Sequence, residues 1–244
     1  MPKSNERKYR MTKEEYHRIL PKLRDRLYTL QGEAYKRRIP VMIVFEGWSA
    51  AGKGGAIGTL AGRLDPRGLR VVAVHSPHEN ELSYPWMWRF WQKIPAYGQI
   101  VIFDTSWYRR VLIERVAKKV RKREWHGAFR DIGEFERQLA ADGTVIIKFW
   151  LDISRKEQAK RFKHLQDDKL TAWQVGPDDL LQQQMHGKWK KAVDEMLAKT
   201  SFSAAPWRVI DAVDKQYVKA EVFRQIIAAL EKRIGKPPRK RVAA

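Results

Sequence analysis

The chain has 244 residues, 43% of them hydrophobic, with ten Trp. That is long enough for one sizeable α/β domain with a packed core, short for two, and too apolar for a wholly disordered chain. The absence of cysteine rules out disulfides, thiol nucleophiles and cysteine-based zinc sites, while 49 Lys and Arg against 28 Asp and Glu leave a formal charge of +21 that favours a polyanionic partner: nucleic acid, anionic lipid or a phosphate polymer.

Residues 1–11 read as a loose basic arm with no apolar stretch of the secretory kind, so a cytoplasmic setting is expected. Thr12 and Glu15 have the spacing of a capping box. Tyr16, Ile19, Leu20, Leu23, Leu27 and Leu30 then recur at helical intervals, with Pro21 predicting a kink or a restart. Residues 1–38 thus form an arm and a helix ahead of a main domain at 39–234. Val41 to Phe45 is a continuous apolar run closed by Glu46 and Gly47, the pattern of a buried parallel strand. A helix should follow with Ile57, Leu60, Ala61 and Leu64 inward. Arg70 to Val74 reads as a strand and aromatic-rich Tyr84 to Ile94 as a helix. Within it Trp86, Trp88 and Trp91 either pack in the core or stack on a base. Next come a strand at Gln99 to Phe103, helices at Ser106 to Val120 and Glu134 to Ala141, and a strand at Thr144 to Leu151. Residues 154–200 are mainly helical and highly charged. A strand at Trp207 to Ile210, a helix at Lys215 to Ile234 and a basic disordered tail at 235–244 complete the reading. Strands alternating with helices imply a parallel sheet covered on both faces. The longest apolar runs are too short to span a bilayer, so no membrane partner is expected.

Gly47-Trp48-Ser49-Ala50-Ala51-Gly52-Lys53-Gly54 matches G-x4-G-K between a buried strand and a helix. Glycines let main-chain N–H groups turn inward around a phosphate, the helix adds its positive end, and Lys53 supplies a mobile cation. The Ser or Thr that commonly follows the lysine as a Mg²⁺ ligand is replaced by Gly54 and Gly55. The strand Ile100 to Phe103 leads into Asp104, a carboxylate placed to hold Mg²⁺ beside the loop, to cap the following helix, or both. Arg109, Arg110 and Arg115 follow it without sharing one helical face, so one or two reach phosphates. Glu114 orients an arginine, serves near the metal or lies on the surface. Lys156, Lys160, Arg161, Lys163, Lys188, Lys190 and Lys191 either line a phosphate channel or form a solvated face. The six histidines show no zinc spacing.

Several motifs, in order, resemble the family-2 polyphosphate kinases. They are Phe45-Glu46-Gly47-Trp48 into Ala50-Ala51-Gly52-Lys53-Gly54-Gly55-Ala56-Ile57, Leu64-Asp65-Pro66-Arg67-Gly68, Trp88-Arg89-Phe90-Trp91, and Ile102-Phe103-Asp104 with Ser106-Trp107-Tyr108. Glu114-Arg115-Val116, Phe135-Glu136 with Leu139, Lys148-Phe149-Trp150-Leu151 and Ala205-Pro206-Trp207 continue the match, which runs from about Tyr35 to Arg233. The nearest subtype is similar to the polyphosphate:AMP phosphotransferases. The resemblance implies a three-layer α/β/α P-loop fold of the thymidylate kinase type, with a helical lid over about 152–190. It implies Mg²⁺-dependent phosphoryl transfer between inorganic polyphosphate and a nucleotide such as AMP, ADP, GMP or GDP, in a homo-dimer or tetramer. Carried onto this chain, Lys53, Asp104 and Arg110 are the catalytic candidates, Asp104 and Ser49 the metal ligands, and Arg89, Arg109, Glu114 and Trp173 join the loop in binding phosphate and nucleotide. Three positions depart from the family pattern: Ser49 replaces an Asp, Thr105 replaces an Arg, and Leu170-Thr171-Ala172-Trp173-Gln174 keeps only the Trp of a basic lid motif. Those departures raise a non-catalytic alternative, a module that binds polyphosphate or nucleotide and regulates a partner. No nucleic-acid-binding module accompanies the charge, so nucleic acid is not the expected partner.

Overall fold

The computed structural model describes residues 10–235; the basic arm up to residue 9 and the tail from 236 lie outside the described residues. Helix α1 (Lys13–Lys36) starts on a closed capping box: Glu15 N–H donates to the Thr12 hydroxyl and Thr12 N–H to the Glu15 carboxylate, each at 3.1 Å. The helix runs unbroken through Pro21. Proline there removes one backbone bond, and burial of Leu20, Leu27, Leu30 and Ala34 on both sides of it holds the helix continuous.

Five parallel strands form one sheet in the order β2-β3-β1-β4-β5: β1 (Val41–Gly47), β2 (Leu69–Ala73), β3 (Ile100–Asp104), β4 (Val145–Asp152) and β5 (Trp207–Asp211). All seven residues of β1 are buried, as its unbroken apolar run predicts for a central parallel strand. Helices α2 (Lys53–Ala61) and α9 (Lys215–Ile234) pack with each other and α9 packs on α1, while α5 (Lys122–Asp142) lies against β4, giving three layers around one core. Strand order reverses at β1, since β2 and β3 lie on one side of it and β4 and β5 on the other. Such a switch point opens a crevice beyond the carboxyl ends of the strands, where a ligand can meet main-chain groups.

Three expected helices differ. Tyr84 to Ile94 yields a single turn, α3 (Trp88–Trp91), behind a 3₁₀ turn at Glu79–Ser83; Pro85 and Pro95 bracket the stretch and leave no room for more. Ser106 to Val120 splits into a 3₁₀ turn at Trp107–Arg110 and a short α4 (Ile113–Val116). There Ser106, Trp107, Tyr108, Arg109, Val111 and Leu112 are all buried, a density one α-helical stripe cannot present. Conversely α5 is far longer than Glu134 to Ala141, because Ala128, Phe129, Ile132, Phe135 and Leu139 carry its apolar face back through a charged stretch. The charged region 154–200 contains α6 (Arg155–Asp167), α7 (Pro177–Gln184) and α8 (His186–Lys199). No described helix is long and apolar enough to cross a membrane.

Candidate active site

The loop between β1 and α2 has its shape written into its main chain. Gly47 pairs with Leu151 so closely that a Cβ there would sit 2.7 Å from the Leu151 carbonyl oxygen, which is why the position takes glycine. Trp48 N–H donates to Leu151 O at 3.1 Å and Ala51 N–H to Trp48 O at 3.0 Å, folding the loop back on itself. Gly52 ends it in the left-handed region at φ +103° and stands at the N-terminus of α2, with Lys53 as the first helical residue. Beyond it, nothing lies within 4 Å of a Cβ built on Gly54, and only the tip of Lys219 nears one on Gly55, leaving this end of the helix open for an anion.

Asp104 ends β3 directly beside β1, where it is the register partner of Phe45. Thr105 follows at φ +61° with its N–H on Phe45 O, and Ser106 caps the turn that carries the arginines. Between Asp104 and the loop lies Glu46, which the sequence reading quoted within a motif but assigned no role. Its Oε1 accepts from Ser106 N–H at 2.9 Å and from Ser106 Oγ at 2.8 Å. Full burial pushes its carboxyl up to about 7, opposed by the Ser106 bonds and the Lys53 charge and reinforced by Asp104. Its signal in the sequence was a lone carboxylate closing an otherwise apolar strand. Among the described residues no three His, Asp or Glu side chains gather as a metal cluster. Glu46 lies near enough to Asp104 to feel its charge, and Mg²⁺ typically needs only one or two carboxylates beside substrate phosphates and water, so these residues fit the ion.

A cavity of ≈ 220 Å³ opens at the 3₁₀ turn that follows β3, lined among others by Trp86, Arg89, Arg109, Arg110 and Glu114. Arg89 pairs with Glu81 at 3.2 Å and donates to His75 O. Arg110 pairs with Glu114 at 3.1 Å and lies over the Trp86 ring. Arg109 reaches out to Asp178 of α7 at 3.1 Å. The Nε groups of Arg109 and Arg110 are buried without a hydrogen-bond acceptor among the described residues. Trp86 lines the cavity and donates its indole N–H to Asp131, and Trp88 stacks on Tyr84.

The segment from α6 to α8 closes onto the loop. Ser49, a predicted metal ligand, is buried with its N–H donated to Gln182 Oε1 at 2.6 Å and its carbonyl taking Gln158 Nε2 at 3.2 Å. Trp48 stacks on His186 at 4.5 Å and donates its indole N–H to Asp152 at 2.7 Å. These lid contacts left no sequence signal, because Gln158 and Gln182 sit among many other polar residues. Trp173 is not brought to the site: it is 79% exposed and its indole N–H is satisfied by Leu170 O within its own turn.

A family model described as polyphosphate kinase 2 matches residues 10–237. A polyphosphate:AMP phosphotransferase of Pseudomonas syringae pv. tomato is 37% identical over 230 residues, covering 94% of this chain and 46% of that protein. An ADP-polyphosphate phosphotransferase of Pseudomonas aeruginosa is 35% identical over 93% of this chain and 75% of its own length. The crystal structure of polyphosphate kinase 2 from Arthrobacter aurescens superposes with a TM-score of 0.87 at 29% identity, covering 96% of this chain and 84% of that one. The chain spans about half the length of the polyphosphate:AMP phosphotransferases it matches. With a family model matched over nearly the whole described length and a relative 35% identical over three quarters of its own length, the chain belongs to the polyphosphate kinase 2 family.

Proposed function

We propose that this chain transfers a phosphoryl group between inorganic polyphosphate and a nucleoside mono- or diphosphate. One observation carries the reading: the loop between β1 and α2, with Lys53 as the first helical residue, lies at the switch point of the sheet, where Asp104 ends the neighbouring strand β3. Lys53 and the loop N–H groups hold one phosphate chain, and the cavity accepts the other reactant. Trp86 offers an aromatic face there, and Arg89, Arg109 and Arg110 offer charge. Asp104 and Glu46, with the Ser49 hydroxyl, would hold Mg²⁺, which when bound neutralises charge on phosphoryl oxygens. Arg110, oriented by Glu114, stabilises charge spread over the transferred group. The lid segment 152–190 excludes water from the crevice. Polyphosphate carries roughly one negative charge per phosphate, and the formal charge of +21 supplies long-range attraction. A cytoplasmic homo-dimer or tetramer completes the reading, and size-exclusion chromatography measures the assembly.

The test is formation of a phosphorylated nucleotide from AMP, ADP, GMP or GDP, with and without polyphosphate, in Mg²⁺. Activity that needs polyphosphate and disappears in Lys53→Ala is the expected outcome; full activity in Lys53→Ala overturns the loop assignment. One observation favours a second reading, a non-catalytic binding module. Ser49, Thr105 and 170–174 depart from the family's loop acid, its arginine and its basic lid motif, which removes charged groups together. Polyphosphate binding with no turnover of any of the four nucleotides would select it.

A further inference from the structure

We propose that Arg161 is a positioning residue that sets the anion-binding shape of the phosphate loop and ties that shape to the lid. The proposal rests on the reading of the loop as a phosphate site. Arg161 stands on α6 with its side chain 10% exposed. Its Nη1 donates to the carbonyls of Ala50 at 3.1 Å and Ala51 at 3.2 Å. Its Nη2 donates to the carbonyls of Ala212 and Val213, both at 2.8 Å, and its Nε to Glu157 Oε1 at 2.7 Å. One guanidinium therefore joins the loop, the first lid helix and the turn between β5 and α9.

The peptide geometry gives these contacts a consequence. A carbonyl and the N–H of the next residue share one plane and point in opposite directions in a trans peptide. Drawing the Ala51 carbonyl out to Arg161 turns the Gly52 N–H the other way, into the hollow above α2. Ala50 also sits at φ +61°, a conformation that costs energy for a residue with a Cβ, and the bond to its carbonyl helps hold it there. Gln158, one turn earlier on the same helix face, holds the Ser49 carbonyl. Thus α6 grips three consecutive loop carbonyls, those of residues 49, 50 and 51. When the lid lifts, all three grips are lost together, and the loop donors lose their orientation. A planar fork with fixed donor directions can serve two pairs of carbonyls at once; a lysine ammonium cannot.

Arg161→Lys keeps the charge and removes the fork, which separates orientation from electrostatic attraction. Binding of inorganic triphosphate is measured by calorimetry for the full chain and the variant, each over a range of salt, with urea unfolding alongside. The expected result is an affinity loss of about tenfold or more in the variant, with an unchanged slope of log affinity against log salt. Affinity within twofold of the unaltered protein, even with a lowered unfolding midpoint, would mean a merely structural arginine and overturns the proposal. Hydrogen exchange on the unaltered protein decides the matter should the variant fail to fold or should triphosphate fail to bind. Amides of 48–54 and of 155–163 should exchange with one common opening rate; a loop that opens while α6 stays protected refutes the coupling. Absent triphosphate binding by the unaltered protein would instead count against the phosphate-site reading, which the exchange experiment does not need.

Discussion

Glu46→Gln should make the protein more stable at neutral pH, and by an amount the structure sets. Folded Glu46 holds its proton to about pH 7 because the carboxyl is fully buried, whereas an ordinary glutamate releases it at 4.5. Below pH 4.5 both the folded and the unfolded chain carry that proton, so the group favours neither. As the pH rises from 4.5 to about 7 the unfolded chain loses the proton first, and unfolding becomes progressively easier. The interval is roughly 2.5 pH units, which at about 1.36 kcal/mol per unit comes to about 3 kcal/mol of stability lost by pH 8. Glutamine keeps an acceptor for Ser106 N–H and Oγ and has no proton to lose in this range. The difference in unfolding free energy between the two proteins, from urea melts at pH 4.5, 6, 7 and 8, should start near zero and grow to about 3 kcal/mol in favour of the variant. Taking the difference cancels the titrating groups that do not interact with Glu46, which leaves Lys53 and Asp104 as its electrostatic partners. A gap that stays flat over that range would show that Glu46 ionises normally in the fold, and the burial argument would fail.

Lys148→Met should destabilise the protein by about 3–5 kcal/mol in urea melts, because it strands a buried carboxylate. Lys148 donates to Glu136, Tyr108 and the Thr200 carbonyl at 2.6, 2.9 and 2.7 Å with no solvent contact, and adding Glu136→Leu should recover most of the loss. Gly47→Ala should cost on the order of 1–3 kcal/mol, since its Cβ would press on the Leu151 carbonyl, and it should weaken triphosphate binding as the loop shifts; unchanged binding and stability would refute that packing.

What could be read in the sequence was what rests on local pattern. The central strands β1, β3 and β4 were legible because strands buried on both faces are mainly apolar runs, the partly exposed edge strands β2 and β5 through shorter apolar stretches, and the loop because glycine spacing follows β1. The helix Lys215–Ile234 and the Thr12 box were legible for the same reason. Legibility failed where burial came from tertiary packing. Tyr108 with Glu136 and Lys148 makes a buried polar core that only the fold assembles. The charge at Lys148 within an apolar strand was the sole hint that a buried partner existed. Gln158, Gln182 and Arg161 reach the loop across more than a hundred residues of chain, so spacing carried no trace of them. Trp173 was assigned to the site through its motif, and its neighbours direct it to solvent instead.

The departures from the family pattern converge on one seam. Ser49 lies in the loop, Thr105 is held against β1 through Phe45 O, and 170–174 belongs to the lid segment that closes on that loop. Where an acid was expected in the loop, the chain has a serine whose main chain is gripped by two buried amides. A loop carboxylate would repel phosphate until a cation arrived, which makes closure depend on the ion. The amides of Gln158 and Gln182 are neutral and grip the Ser49 main chain without such repulsion. The lid segment is held to the loop by buried contacts that salt screens little, the Gln158 and Gln182 amides and the Arg161 guanidinium, with the partly exposed Arg109–Asp178 pair beside them, while the proposed capture of polyphosphate rests on surface charge that salt does screen. The two should separate cleanly: rising ionic strength should slow capture of the polyanion and leave the lid's protection from trypsin unchanged. Lid cleavage that accelerates with salt in parallel with weakening capture would show that charge, not the amide grip, holds the lid down.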